Sequence, residues 1–514
     1  MKLAPTTIVL SSVFLPLAAT AQVTPDGTTS TIVTPTDTGV QIDNGNRAGD
    51  NLFHSFGEFS VPTGTEAFFN NTDNIANIFS RVTGGNISNI NGLIRAKGTA
   101  NLFLINPAGI VFGESSRLQL GGSFYGSTAD SIIFPDGEFS ATDLDNPPLI
   151  TINAPIGLGF RDEPQPIIND SVTDNLGLQI NAGETIGFIG GEIAIRGNGV
   201  RPEEVGDINN ITAQGAKVWL GGLAEAGTVN LDENLNPRIS DNVARANVSF
   251  SNGARVDVAG ADGGGITVIG NDITLTEASQ LFGGIAEGLG TTESQAGDVT
   301  INATGAVNLS GVSGIQNRVN EGATGNSGNI NVTAESLSIT DGGFFSASTF
   351  GRGNAGDINV NAEGAVTLDG VIPDISNSRM ASVIVFGAEG EGGDITIEAG
   401  SLSLTDGALL NTQVFGSSEN VNGEEIPGGR GNAGNIFITA NSLSLSDGGF
   451  IRSSTFGQGN AGNVRLNIAG EVNLTDGNIF SNVEREAKGD GGNITIEAGS
   501  LSLESGGQIQ TLVR

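Results

Sequence analysis

Apolar and polar residues alternate in short runs through the second half of the chain, and no stretch sustains a 3.6-residue period. Period two predicts strands. The runs recur as a unit that opens on Gly-[Asn/Asp]-[Ile/Val], at Gly297, Gly328, Gly356, Gly393, Gly434, Gly462 and Gly492. The intervals are 31, 28, 37, 41, 28 and 30 residues. The two long intervals hold extra loops, around Ile372–Met380 and Ser417–Gly429, and a weaker copy starts near Gly265-Ile266.

Each unit reads alike. An alternating run such as Asn493-Ile-Thr-Ile-Glu-Ala498 comes first, then Ser-Leu-Ser-Leu (Ser401–Leu404, Ser442–Leu445, Ser500–Leu503; Ser336–Ile339 is a variant). An Asp-Gly turn follows, at Asp341, Asp406, Asp447 and Asp476, and a third run ends in Phe-Gly at Phe350, Phe415 and Phe456. Three short strands cannot bury a face alone, but stacked coils pair in parallel and share one interior. The expected fold is all-β: a right-handed, three-faced parallel β-helix. At ~4.8 Å between strands it makes a rod of roughly 80 Å. A propeller needs longer blades.

Stacking assigns places to side chains. Phe350, Phe415 and Phe456 are expected to form an inward aromatic column that packs the core. The turn aspartates are expected to form an outward column whose mutual repulsion is offset by Asx-turn bonds to the backbone, with bound calcium as the alternative.

Composition narrows the function. The 514 residues include 79 Gly, no Cys, one His and one Trp. Without Cys there is no disulfide framework and no thiolate chemistry. With His54 alone, multi-His metal sites are excluded. The net charge of −34 argues against nucleic-acid binding, whose affinity rests on cations neutralising phosphate. The length exceeds one globular core and fits a repeat.

The first half differs. Lys2 is the only charge before Asp26, Ile8–Ala21 is apolar, and Ala19-Thr20-Ala21 is a small-x-small site. This predicts a signal peptide over residues 1–21, cut between Ala21 and Gln22, rather than a membrane span. Export by the general secretory machinery follows. The remainder divides at about 250, into an N-terminal domain of residues 22–250 and repeats over residues 251–514. Residues 22–60 read as irregular strands that cap the first coil and cover its open edge. In Asn86–Gly113 the pattern predicts two strands, a turn at Asn106-Pro107-Ala108-Gly109 and another strand, with Pro107 at the second turn position and Gly109 at positive φ.

Here a resemblance enters. Asn106-Pro107-Ala108-Gly109-Ile110 is similar to the Asn-Pro-Asn-Gly-Ile motif of the filamentous haemagglutinin family, the exported members of two-partner secretion systems. Phe103-Leu104, Phe112-Gly113, Gly121-Gly122-Ser123-Phe124 and Asn153-Ala-Pro-Ile-Gly-Leu-Gly-Phe160 fit the same pattern over about residues 22–250. The family's upstream Asn-Pro-Asn-Leu motif has no clear counterpart. The resemblance implies a secretion motif at Asn106, Pro107, Gly109 and Ile110. It implies recognition in the periplasm by a dedicated outer-membrane transporter, passage of the unfolded chain, and folding outside a Gram-negative cell as a secreted or surface protein. The chain ends in repeat, at Ser500–Arg514, without the strand pattern of a C-terminal barrel. The export pore is therefore expected to be another protein, and the last coil to be truncated or capped by another chain.

Three functions compete. The first is a non-enzymatic rod, an adhesin binding cells or polysaccharide. The second is a polysaccharide-degrading enzyme, for which Arg255, Asp257 and Asp262 are the candidates; the competing reading of these is a surface hairpin with solvated charges. The third is a structural matrix or surface-layer component. No catalytic residue, metal ligand or cofactor is assigned. His54 reads as structural, Trp219 as packing in a coil, and Asn70-Asn71-Thr72 as an incidental glycosylation match.

Overall fold

The computed structural model describes residues 22–161, 163–199, 208–240, 242–373, 375–419 and 422–514. The signal-peptide reading, with Ala21, lies outside the described residues; Gln22 opens the first strand, Gln22–Pro25. Each coil contributes strands to three faces, and nearly all pairings between coils are parallel and in register. The first face runs from Asn51–Ser60 through Asn77–Val82 and Asn101–Ile105 to Ile330–Ala334. The second runs from Ser88–Ile90 and Ile110–Phe112 to Ser336–Thr340. From Ile358–Asp369 onward, one bent strand per coil serves both faces, as in Ile395–Thr405 and Ile436–Ser446. The third face begins with Gly39–Asn44, Glu66–Phe69, Leu93–Ala96 and Arg117–Gln119 and continues as an eleven-stranded sheet from Leu178–Gln179 to Gln508–Gln510. The expected parallel β-helix is therefore the observed one.

Alternation places the core. Along the third face Val256, Leu281, Ile315, Phe345, Met380, Leu410, Ile451 and Ile479 stack inward and are buried. The leucines of the Ser-Leu-Ser-Leu runs do the same on the second face, with Leu402 and Leu443 each 1% exposed. In the last coil Leu501 and Leu503 are 46% exposed, because no described residue packs above them.

The opening tripeptide of each unit has two separate physical causes. Its glycine lies at a corner where the coils pass closest. A Cβ on Gly356, Gly393 or Gly434 would come within 3.0 Å of the backbone of the glycine one coil below. Its Asn or Asp forms a ladder along the rod. The Asp298 carboxylate accepts from Asn329 N (2.8 Å), Asn329 from Asp357 N (2.9 Å), Asp357 from Asp394 N (2.8 Å), and Asp394 from Asn435 N (2.7 Å). Each side chain thus satisfies a backbone donor that the corner leaves outside the strand ladder.

Two column predictions need correction. Phe350, Phe415 and Phe456 are half-buried and point outward, since their neighbours Thr349, Val414 and Thr455 take the inward positions. Period two forbids both residues of such a pair from facing the core. Val385 also interrupts the column, because Thr349 pairs with Ile384 and Ile384 with Val414. The turn aspartates are exposed, with φ between 48° and 59°. Gly370 falls between Asp341 and Asp406 in register, so only Asp406, Asp447 and Asp476 occupy successive coils. Backbone bonds link these turns, Gly407 N to Asp447 O (3.0 Å) and Gly448 N to Asp476 O (3.2 Å). Side-chain capping by Asx residues occurs instead at the corner ladder. The two inserted loops are small antiparallel hairpins, Val371–Ile372 with Ser376–Asn377 and Ser418–Glu419 with Glu425–Ile426.

The N-terminal part adds a cap and a second layer. Gln22–Pro25 and Asn46–Ala48 run antiparallel to Asn51–Ser60, so its outer edge is covered. Two longer connections from a first-face strand to the next second-face strand carry an antiparallel sheet: Ser131–Phe134, Gly137–Ser140, Gly157–Phe160, Gly227–Leu231 and Pro237–Ile239. It covers the outer side of the first face. Phe53, Phe79, Phe103, Tyr125 and Trp219 there pack against Phe134, Phe139 and Leu158 as a second core.

Candidate functional site

The Asn106–Ile110 segment turns the chain from the first face to the second. Asn101–Ile105 ends at the corner and Ile110–Phe112 begins after it. Gly109 N donates to Asn106 O at 3.0 Å, closing a four-residue turn. Pro107 supplies its fixed φ at the second position. Gly109 has φ +116°, a conformation that disfavours any side chain, and it is there that glycine is required. Before the turn the structure has three strands where two were expected. The run Ile87–Ala96 breaks at Gly92 into Ser88–Ile90 and Leu93–Ala96, on different faces.

Asn106 is fully buried, and every bond its side chain makes is local to two coils. Its Nδ2 donates to Asn86 O and to Ser88 Oγ, both at 2.9 Å, and its Oδ1 accepts from Ala108 N at 2.9 Å. One carboxamide therefore sets the turn and ties it to the preceding coil. Ile110 is buried in the core, paired with Ser88 below and Ile167 above. Only Pro107 and Ala108 are partly exposed.

Around this turn the coils carry a second amide ladder. Asn77 Nδ2 donates to Asn51 Oδ1 and Asn101 Nδ2 to Asn77 Oδ1, each at 3.0 Å. Asn51 Nδ2 reaches Thr151 O (3.0 Å) and Asn153 O (2.8 Å), anchoring the Asn153–Phe160 segment to the first coil. Deeper in the cap, Arg81 is 1% exposed. Its guanidinium bonds to Ser55 Oγ, Thr28 Oγ1 and Ser140 O and lies 4.8 Å from the Phe139 ring centroid. Burial lowers its pKa, opposed by the charges of Asp26 and Asp143. Burial alone would raise the pKa of Asp26, but hydrogen bonds from Ser55, Thr28 and Thr83 outweigh it and hold the carboxyl below its ordinary value.

The remaining sequence candidates fall in separate places. His54 is buried against Phe56 and Phe69, with Nδ1 3.0 Å from Thr31 Oγ1; burial lowers its pKa to about 3. It is a neutral packing residue at physiological pH. Trp219 is 6% exposed and packs in the second core rather than in the coil interior. Asn70 donates to Asp43 Oδ1 at 2.6 Å. Arg255 and Asp257 do not lie on a hairpin: Arg255–Asp257 is a parallel third-face strand between Ile211–Thr212 and Gln280–Ile285. Their side chains pair at 3.3 Å. Asp262 lies away from them, exposed, accepting from Gly263 N and Gln295 N at 2.9 Å. Among the described residues no group of three or more His, Asp or Glu is placed to hold a metal ion. No helix of the described residues is long and apolar enough to cross a membrane.

Comparison with known proteins adds the family. Residues 21–268 match the model of the TPS secretion domain. Among solved structures, the HMW1 secretion domain from Haemophilus influenzae aligns over 96% of this chain and 99% of its own, at 15% identity and a TM-score of 0.41. The filamentous hemagglutinin secretion domain aligns over 67% of this chain and 98% of its own, at 15% identity and a TM-score of 0.25. No curated protein matches the sequence.

Proposed function

We propose, from the premise that residues 21–268 are a TPS secretion domain and the chain a two-partner secretion exoprotein, that it works outside the cell as a non-enzymatic adhesive rod. A TPS domain implies a partner transporter in the outer membrane. The finer proposal concerns which residues that transporter uses and what the rod then does. The match over residues 21–268 carries the export reading, and the position of the Asn106–Ile110 turn within that region supports the finer one.

The Asn106–Ile110 turn is proposed as the secretion motif, with different duties for its residues. Pro107 and Ala108 keep partly exposed surface, and the turn stiffens the segment even in an unfolded chain. Asn106 and Gly109 act later. Once the segment emerges, the Asn106 carboxamide bonds coil to coil and Gly109 permits the reversal, so the motif is also where the first coils lock. A chain without cysteine has no disulfide to close before transit. Stacking then needs only nearest-neighbour coils, which suits a chain that folds as it exits.

Secretion is the test. The full chain is expressed in a Gram-negative host with and without its transporter, and periplasm and medium are probed. Export is expected only with the transporter. Asn106→Ala removes three hydrogen bonds of a buried amide and is expected to cut secretion at least tenfold. Release without a transporter would overturn the reading. The adhesive, non-enzymatic role predicts no reducing-sugar release from polysaccharides incubated with the purified chain.

A further inference from the structure

The outward side of the eleven-stranded third face is unlike the rest of the rod. Residues 251–514 contain 30 acidic and 10 basic residues. Within the strands of this one face lie four of those ten, Arg255, Arg318, Arg379 and Arg452, and a single carboxylate, Asp257. The arginines are laid against aromatic rings. Arg255 is 4.7 Å from the Phe282 centroid, Arg318 lies between Phe282 (4.8 Å) and Phe350 (5.0 Å), Arg379 is 4.6 Å from Phe344, and Arg452 is 4.4 Å from Phe450. Amides fill the places between: Gln316 Nε2 donates to Gln280 Oε1 at 2.8 Å, and Arg452 Nη1 to Gln413 Oε1 at 3.1 Å. Over the lower part of this row is a groove of about 610 Å³, lined by Phe282, Arg318, Phe344 and Phe350 and also by the carboxylates Asp257, Glu287 and Glu321.

We propose that this face is a binding track for a linear, carboxylate-bearing polysaccharide, laid along the rod axis. The chemistry of the row selects that ligand. Guanidinium groups present planar forks that match carboxylates. Held against aromatic rings, they are already ordered, so little side-chain freedom is lost on binding. The part-exposed rings of Phe350 and Phe450 suit the apolar C–H side of pyranose rings, whereas Phe282 and Phe344 are buried beneath the arginines, and part-exposed Gln280 supplies a hydroxyl partner. The coils stack every ~4.8 Å, and the arginines recur at intervals along them rather than in every coil, so a linear chain meets them at separate points. Outside the strands of this face the surface is acidic and repels polyanions, Glu287 and Glu321 beside the groove included, so the arginines are the points of attachment.

The inference rests on the proposed adhesive role and names its ligand class. Purified full chain is titrated by calorimetry with sodium polygalacturonate, with neutral dextran and with single-stranded DNA. Polygalacturonate is expected to bind, more weakly as salt rises; dextran and DNA are expected to bind at least tenfold less tightly. Arg318→Gln with Arg379→Gln is expected to lower polygalacturonate affinity at least tenfold. Arg465→Gln with Arg485→Gln, outside this face, is expected to leave it unchanged. Far-UV circular dichroism checks the fold. Should the double variant misfold, Arg318→Lys keeps the charge but loses the fork and is expected to weaken binding severalfold. The proposal is overturned if polygalacturonate fails to bind, if dextran or DNA binds as well, or if the face variants bind like the parent. Secretion of the same variants is read separately. Normal export with lost binding is expected, whereas failure of the parent chain to use its transporter sinks the secretion reading and leaves the binding result standing.

Discussion

The N-terminal coils and the repeat coils are built on one plan but stabilised differently. In the repeats a single interior of stacked aliphatic residues is enough, because every coil resembles its neighbours and the corner glycines and Asx ladder recur in register. The N-terminal coils are irregular. They compensate with a second, phenylalanine-rich core under an antiparallel sheet and with buried polar groups such as Arg81 and Asn106. Regularity lets one motif satisfy many coils, whereas irregular coils need individual solutions. The match to the TPS secretion domain model, over residues 21–268, takes in the irregular part.

That contrast can be broken experimentally, and Trp219, the only tryptophan, lies in the second core and so reports on the N-terminal part. The largest effect is expected from Gly434→Val. Its Cβ would come within 3.0 Å of the Gly393 backbone, with no flexible side chain to give way. A loss of about 4 kcal/mol or more is expected in the repeats. In urea, the circular dichroism transition should move while Trp219 fluorescence holds. Simultaneous movement of both probes would show the two parts to be one cooperative unit.

Phe79→Ala is the converse. Phe79 is fully buried, 5.1 Å from both Phe53 and Phe103 by ring centroids, so its removal is expected to cost about 3–5 kcal/mol. Here the Trp219 transition should shift and the repeat transition should not.

A smaller, graded difference is expected with pH. The folded pKa of His54 is about 3, below the ordinary 6.5, so folding favours the neutral ring. Its contribution is complete above pH 6.5 and is lost progressively as pH falls towards 3, on the order of 1.4 kcal/mol per pH unit. The Trp219 midpoint should fall over this window, and His54→Gln should flatten its pH dependence. An unchanged slope in the variant would assign the acid sensitivity elsewhere.

The repeat half was legible because its rules are local. Alternation predicted the strands, the intervals located the loops that became hairpins, and Gly-[Asn/Asp] marked the start of each unit, which the structure showed to be a corner. The turn at Asn106–Gly109 was readable from Pro and Gly chemistry. The second core was not. Phe53, Phe79, Phe103 and Trp219 have the same pattern whether they face water or another sheet, and the strands that cover them arrive from residues 131–239. Phe350, Phe415 and Phe456 misled for a related reason. Their recurrence suggested a core column, but the face of a strand is fixed by parity with its neighbours, and each lies one residue from an inward position.

The sequence by itself determined the coil, its period and the glycines that open each unit, since these depend on residues a few positions apart and on a repeat that aligns them. The tertiary structure decided which outward residues become buried, as under the antiparallel sheet, and which come together, as in the arginine–phenylalanine row. Those neighbours are a full coil or more apart in sequence, and only the register of stacking brings them within a few ångströms.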